Sequence, residues 1–137
     1  MDTKLKADIA ESAVLKELLK RGFHVLRPVG DRLPYDLCID RYGRLIRLQI
    51  KSAWFRKGVY IVNNRRTRTN RRYMVRSHYH ASDFDYAILY IQDHDIFYVM
   101  PNKEFCSYRS EITLSEGRSR QRKPRSYRYR EAWDLLK

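Results

Sequence analysis

Long apolar runs and cysteines are scarce in this 137-residue sequence. No run reaches the roughly 18 apolar residues that a membrane-spanning helix needs, so the sequence predicts no such helix. The first residues are charged and lack the apolar region of a signal peptide. Cys38 and Cys106 are too few and too widely separated to predict a disulfide framework or a cysteine metal site. We therefore expect a protein of the reducing cytoplasm, with no membrane partner.

Acidic residues are missing from two stretches, residues 63–80 and 117–130. The chain has 29 Lys and Arg against 16 Asp and Glu, a net charge of +13. The first stretch holds six basic residues and the second seven, so the rest of the chain is neutral. Such segregation of charge is typical of a protein that binds a polyphosphate. The alternative is a solvated basic surface that serves only solubility.

Most basic residues of both segments are arginines, and the planar guanidinium group suits bidentate contacts with phosphate or guanine. We expect the segments to contact a nucleic acid, divided between base edges and phosphates, although the first could be a loop that contacts only the nucleic-acid backbone. The predicted nucleic-acid-binding residues are Arg65, Arg66, Arg68, Asn70, Arg71, Arg72, Arg76, Arg118, Arg120, Arg122, Lys123 and Arg125.

Hydrophobic periodicity predicts one mixed α/β domain over residues 1–137, with a central sheet. A helix is expected over 3–21, with Leu5, Ile9, Leu15 and Leu19 on its apolar face. Short strands are expected at 23–29, 35–40, 44–52, 58–63, 85–92, 95–101 and 111–114, and a short helix at 102–108. Residues 63–80 read as loop with some helix, and the segment after Gly117 reads as extended up to a last amphipathic turn at 130–137.

The stretch LPYDLCIDRYGRLIRLQIKS predicts a hairpin with a two-residue turn at Tyr42-Gly43. That register pairs Leu37 with Leu48 and Ile39 with Ile46, which brings the apolar faces together. It also places Asp36 opposite Gln49, with Lys51 projecting from the same side. Glu11 would join this polar group if the first helix packs across that end of the sheet.

Such a cluster suits phosphodiester hydrolysis with Mg²⁺ as cofactor. Glu11 and Asp36 offer hard oxygen ligands, and the Gln49 side-chain oxygen or the Ile50 carbonyl could complete the coordination. Lys51 could orient a water or neutralise charge on the phosphate. The catalytic candidates are therefore Glu11, Asp36, Gln49 and Lys51. The alternative is a structural ion pair between Asp36 and Lys51.

Asp36 in LPYD, the Gln49-Ile50-Lys51 triplet and Glu11 together resemble the PD-(D/E)XK nuclease signature. Gln49 replaces the usual acid, and Pro34 stands one place further from Asp36 than the motif name implies. The segments GDRLPYDL, NNRRTRTNRR, YRSEI and RQRKPRSYRYREAW are similar to homing endonucleases of this superfamily encoded in cyanobacterial group I introns. The resemblance implies a restriction-endonuclease-like fold, with a central mixed β-sheet flanked by helices. It also implies a Mg²⁺-dependent, site-specific double-strand cutter that forms a homotetramer, a dimer of dimers.

Two other functions are compatible with the same features. A Holliday-junction resolvase or restriction-type nuclease would share the fold and differ in substrate. A non-enzymatic nucleic-acid-binding protein would keep the basic segments and give Asp36 and Lys51 only a structural role.

Overall fold

The computed structural model describes residues 2–69, 74–117 and 122–137. The elements in chain order are α1 (Thr3–Lys20), β1 (His24–Leu26), β2 (Leu37–Arg41), β3 (Arg44–Ser52), β4 (Trp54–Arg56), β5 (Val59–Asn63), β6 (Arg65–Thr69), β7 (Met74–His78), β8 (Tyr86–Ile91), β9 (Ile96–Pro101), α2 (Asn102–Ser107) and β10 (Glu111–Leu114). Short 3₁₀ helices cover Gln92–His94, Arg125–Tyr129 and Trp133–Leu136.

A five-stranded sheet in the order β1-β2-β3-β8-β9 forms the centre of the molecule. Strands β3 and β8 run parallel and the other neighbours run antiparallel, so the predicted mixed sheet is confirmed. The β2–β3 hairpin has the predicted register, with Leu37 opposite Leu48 and Ile39 opposite Ile46. Tyr42 and Gly43 both have positive φ, as a two-residue turn between twisted strands requires.

Helix α1 covers one face of this sheet. Its buried stripe is Ala10, Val14 and Leu18, which pack with the apolar residues of β2 and β3. The predicted apolar face was therefore wrong in part, because Leu5 and Leu19 are 49% and 57% exposed. The small Ala10 side chain lets the helix approach the strands closely, which hydrophobicity alone does not reveal.

The other face is covered by α2 and by a second, three-stranded sheet in the order β10-β5-β4. Phe105 from α2 and Ile112 from β10 pack there against Leu89 of β8. Strand β8 is therefore buried on both faces, as its nearly continuous apolar sequence predicts. Strand β4, which sequence analysis did not identify, is the three-residue edge of this second sheet.

The prediction of loop and helix for residues 63–80 was wrong for residues 65–69 and 74–78, which are strands. Strands β6 and β7 form an antiparallel ribbon of two strands, in which Arg65 pairs with His78 and Thr69 with Met74. The ribbon belongs to neither of the larger sheets. Residues 70–73, which stand between β6 and β7 in the sequence, lie outside the described residues.

The C-terminal segment protects the β9 edge of the central sheet. The Phe97 amide donates to the Glu131 carboxylate, and the Glu131 amide donates to the Phe97 carbonyl. Residues 125–129 form a 3₁₀ helix, so the extended conformation predicted after Gly117 was wrong for that part. Arg130, the last residue of the basic segment, pairs at 3.0 Å with Glu116, which directly precedes that segment. The Tyr98 hydroxyl also donates to Glu116.

None of the helices in the described ranges combines the length and hydropathy of a membrane-spanning segment. Cys38 is buried, Cys106 is half-buried, and both are free thiols.

Candidate active site

Asp36 directly precedes β2, at the point beyond which β3 has no partner on the β2 side and pairs only with β8 on its other side. Its carboxylate accepts a backbone hydrogen bond there that a longer β2 would accept. The Ile50 amide donates to Asp36 Oδ2 at 2.8 Å, and Gln49 Nε2 donates to the same oxygen at 2.9 Å. The Asp36 amide donates to the Leu48 carbonyl at 2.8 Å, which continues the hairpin ladder by one residue. The predicted pairing of Asp36 with Gln49 is therefore present.

The Ile50 carbonyl points toward Asp36 as well. In a strand the N–H and C=O of one residue point to the same side, and the Ile50 N–H is directed at Asp36. The bond from Gln49 Nε2 to the Ile50 carbonyl is long, at 3.3 Å. This backbone oxygen therefore lies beside the carboxylate, while the Ile50 side chain packs in the core under α1.

The surroundings of Asp36 disfavour the ionised form of its carboxyl group. Burial raises its pKa to about 6 from an ordinary 3.8, the Ile50 hydrogen bond opposes that rise, and the nearby Glu11 carboxylate adds to it. Glu11 approaches from α1, where it is paired with Arg27 at 3.4 Å on a half-exposed surface. The Glu11 carboxylate is therefore close enough to Asp36 to disfavour the ionised form of that carboxyl.

Lys51 follows Gln49 by two residues on β3, so the two side chains leave the strand on the same face. Its ammonium donates to the Arg65 carbonyl at 2.9 Å and lies 5.2 Å from the centroid of the Tyr79 ring. Burial lowers the pKa of Lys51 to about 8, and the negative charge of Asp36 opposes that shift. Within the described part of the chain, the ion pairs closer than 4.0 Å do not join Lys51 to Asp36. The purely structural pair considered from the sequence is therefore absent there.

The donor atoms fit a hard divalent cation. Asp36 Oδ1 accepts no hydrogen bond from the described residues, and it lies near a second carboxylate and a backbone carbonyl. No group of three or more His, Cys, Asp or Glu side chains suited to a metal occurs in residues 2–69, 74–117 and 122–137. A cation would therefore rely on two carboxylates and neutral oxygens, which Mg²⁺ accepts together with water. Ligation by Gln49 requires its amide to rotate, since Nε2 now faces Asp36.

The predicted DNA-binding residues divide into three groups. Arg65, Arg66, Arg122, Lys123 and Arg125 are described in full, and Arg68 and Arg76 have described backbone in β6 and β7. Asn70, Arg71, Arg72, Arg118 and Arg120 lie outside the described residues.

Side-chain contacts within the protein are made by Arg65, Lys123 and Arg125. The Arg65 guanidinium donates to the Arg109 carbonyl at 3.3 Å. The Lys123 ammonium donates to the Gly117 carbonyl at 2.6 Å. Arg125 pairs with Glu104 at 3.1 Å and lies over the Tyr108 ring at 3.9 Å, with its side chain 56% exposed. Arg122 is exposed. Arg122 is thus oriented to solvent, whereas Arg125 helps to fasten the basic segment to α2.

Sequence reasoning missed Tyr79, Asn64 and Arg27. Tyr79 is buried beside Lys51, and Asn64 is buried at the start of the ribbon. Arg27 pairs with Glu11 from a different element. Their contacts join residues far apart in sequence, and no spacing rule connects them. The local signal is that Asn64 and Tyr79 lie just inside the two ends of the acid-free stretch 63–80.

Comparison with known proteins places this geometry in a family. The profile of the PD-(D/E)XK endonuclease family matches residues 1–136. A solved bacterial homing endonuclease, I-Ssp6803I, is 54% identical, and the match covers 99% of this chain and 93% of that chain with a TM-score of 0.91. No curated protein sequence matches significantly. The resemblance inferred from the sequence is confirmed, as is the fold class. The chain belongs to the PD-(D/E)XK endonuclease family.

Proposed function

We propose that this protein is a site-specific homing endonuclease, which cuts both strands of a long DNA duplex by Mg²⁺-dependent phosphodiester hydrolysis. The observation that carries the proposal is the position of Glu11, Asp36 and Lys51 at the base of an arginine-rich β-ribbon. The family and the similar bacterial homing endonuclease support it. Action on DNA in a bacterial cytoplasm is the corresponding expectation.

The ribbon supplies a way to reach the bases. The major groove of B-DNA is wide enough to admit a two-stranded β-ribbon. Arg65 and Arg66 begin β6, and Arg68 and Arg76 stand further along the two strands. With the ribbon in the groove, the end of the ribbon that contacts Lys51 would remain next to the sugar-phosphate backbone. Sequence reading and chemistry would then be carried by adjoining parts of one surface.

The side chains divide the chemistry between them. Glu11, Asp36 and the Ile50 carbonyl would hold Mg²⁺, with Gln49 joining after rotation of its amide. The bound ion would supply Lewis-acid stabilisation of phosphate charge and lower the pKa of a coordinated water. Because the pKa of Lys51 is about 8, its side chain is mostly an ammonium at pH 7. It is therefore available to stabilise the negative charge that builds on the phosphate.

Gln49→Glu tests whether this donor set binds the cation. The change removes the amide donor to Asp36 and adds a third carboxylate. We expect the metal-free protein to melt at a lower temperature, because like charges then repel. We also expect half-maximal thermal stabilisation at about tenfold lower Mg²⁺, because affinity rises with the number of anionic ligands. Gln92→Glu, on the turn between β8 and β9, is the matched control, and an unchanged Mg²⁺ midpoint would count against the assigned ligands.

The proposal includes an oligomer. The proposed cluster of one chain can act on one strand at a time, whereas a duplex has two strands, so two copies would allow both strands to be cut in one binding event. A closed dimer with two-fold symmetry would present one cluster to each strand. The homotetramer of two dimers, implied by the resemblance, is proposed here as the form that binds a long target. Sedimentation equilibrium with and without duplex tests the number of copies.

Cleavage of a library of randomised duplexes, with and without Mg²⁺, tests the function directly. We expect double-strand breaks at one preferred sequence, only with the cation, and sequencing of the ends then gives the site and the stagger. A four-way junction serves as the competing substrate. Preferential cutting of the junction would favour a resolvase, and no cutting of any DNA would favour a binding protein without activity.

A further inference from the structure

The ammonium of Lys51 contacts both ends of the arginine-rich ribbon. It donates to the carbonyl of Arg65, the first residue of β6, at 2.9 Å. It also lies 5.2 Å from the ring of Tyr79, which directly follows β7. These contacts come from the two points where the ribbon joins the body of the protein. The lysine is therefore held by the ribbon rather than by the sheet on which it sits.

Both ends of the ribbon are anchored to α2 and the residues just after it. At the first end, Asn64 Nδ2 donates to the carbonyls of Phe105 and Tyr108, at 3.1 and 2.6 Å. At the second end, the Cys106 thiol donates to the Tyr79 carbonyl, with 3.8 Å between the sulfur and the oxygen. Asn64 is only 3% exposed. A short helix thus fixes the two points from which Lys51 is held.

We propose that Tyr79 and Asn64 are positioning residues for Lys51, and that the base of the ribbon couples DNA engagement to the placement of the catalytic ammonium. Asn64 fixes the backbone that presents the Arg65 carbonyl, and the Tyr79 ring limits where the ammonium can lie. A force on the ribbon from bound DNA is transmitted to Lys51 through two direct contacts. The inference rests on the proposed function, since it concerns the lysine of that reaction.

The ring of Tyr79 performs this role, and its hydroxyl is not needed. The side chain packs edge-on against Phe84 and Phe105, with centroids 5.2 and 5.9 Å away, so its ring plane is fixed. Burial and the charge of Asp36 raise the pKa of the phenol, which therefore stays neutral. Among the described residues no hydrogen bond involves the Tyr79 hydroxyl. Phenylalanine should consequently replace tyrosine, whereas leucine should not.

Tyr79→Leu and Tyr79→Phe form the matched pair that tests the proposal. We expect Tyr79→Leu to lower the single-turnover cleavage rate at saturating protein by about tenfold to 100-fold, because small displacements of a reacting group are costly. Its affinity for the target, measured in metal-free buffer, should be unchanged. Tyr79→Phe should cut at the wild-type rate. With ¹³C-labelled lysine, the Lys51 ε-methylene signal should lose its ring-current shift in Tyr79→Leu and keep it in Tyr79→Phe.

Asn64→Leu is the second variant, because it removes both anchoring bonds at similar side-chain size. We expect slower cleavage and a displaced Lys51 ε-methylene signal, again with target affinity retained. Wild-type cleavage by Tyr79→Leu would overturn the inference while leaving the proposed function intact. Equal loss of rate in Tyr79→Leu and Tyr79→Phe would also overturn it, because the hydroxyl would then be the required group. A wild-type protein that cuts no DNA would instead refute the proposed function itself.

Discussion

Replacement of Lys51 by methionine is expected to slow cleavage of the target about 10²- to 10³-fold while leaving DNA affinity nearly unchanged. Methionine keeps an unbranched apolar stem against Tyr79 and removes only the ammonium that we propose stabilises the phosphate. The magnitude is that of losing one preorganised charge-stabilising group from an active site. The rate is measured under single-turnover conditions at saturating protein, and the affinity in metal-free buffer.

Lys16→Met is the matched control for this prediction. Lys16 is exposed on α1, so its loss removes the same charge from the protein without touching the cluster. We expect this variant to cut at the wild-type rate. A Lys51→Met protein that still cuts at a rate close to that of wild type would show that the ammonium has no part in the chemistry.

Replacement of Asp36 by asparagine is expected to abolish cleavage and, at the same time, to stabilise the metal-free protein. Asparagine Oδ1 can still accept from the Ile50 amide, so the local backbone should be retained. The loss of the carboxylate removes a proposed Mg²⁺ ligand, and cleavage should fall by about 10³-fold or more, since a metal that activates water supplies much of the rate. Mg²⁺ should raise the melting temperature of the wild type and not of Asp36→Asn.

The stability gain follows from the direction of the pKa shift. The pKa of Asp36 rises from 3.8 to about 6 on folding, so the folded state binds the proton more tightly than the unfolded chain. The stability that this provides is present below about pH 4 and is lost as pH rises through about 6. At pH 7.5 the charged carboxylate therefore costs on the order of 1–3 kcal/mol, which asparagine should recover in urea unfolding without Mg²⁺.

Asp134→Asn is the control for the stability measurement, because Asp134 is 93% exposed and lies far along the chain beside Lys137. We expect no comparable change in its unfolding free energy. A metal-free Asp36→Asn protein that is less stable than wild type at pH 7.5 would indicate a structural role for this carboxylate. Retained cleavage by Asp36→Asn would remove it from the metal site.

The site was predictable from the sequence where its geometry is local to one hairpin. A two-residue turn at Tyr42-Gly43 fixes the register, and the register alone places Asp36 opposite Gln49. The face of Lys51 then follows from the alternation of side chains along β3. Family resemblance added the function, because neither charge nor spacing distinguishes a nuclease from a binding protein.

The parts that could not be predicted depend on contacts between distant elements. The ribbon of β6 and β7 is rich in Arg and Thr and lacks the apolar alternation that marks a half-buried strand. The α1 stripe was misassigned because leucines also lie on the exposed side of this helix, as Leu5 and Leu19 do, so periodicity did not single out Ala10, Val14 and Leu18. Lys51 is positioned by its contacts with Arg65 and Tyr79. The location of these two residues depends on the bonds between α2 and the ends of the ribbon.

Anomalous diffraction from a crystal of the protein with its target DNA and Mn²⁺, which prefers the same oxygen ligands as Mg²⁺, tests the central claim most directly. We predict a manganese peak bound by Asp36, with Glu11 and the Ile50 carbonyl beside it and Lys51 facing the scissile phosphate. A peak held by other residues, or DNA whose backbone lies away from Asp36 and Lys51, would contradict the account.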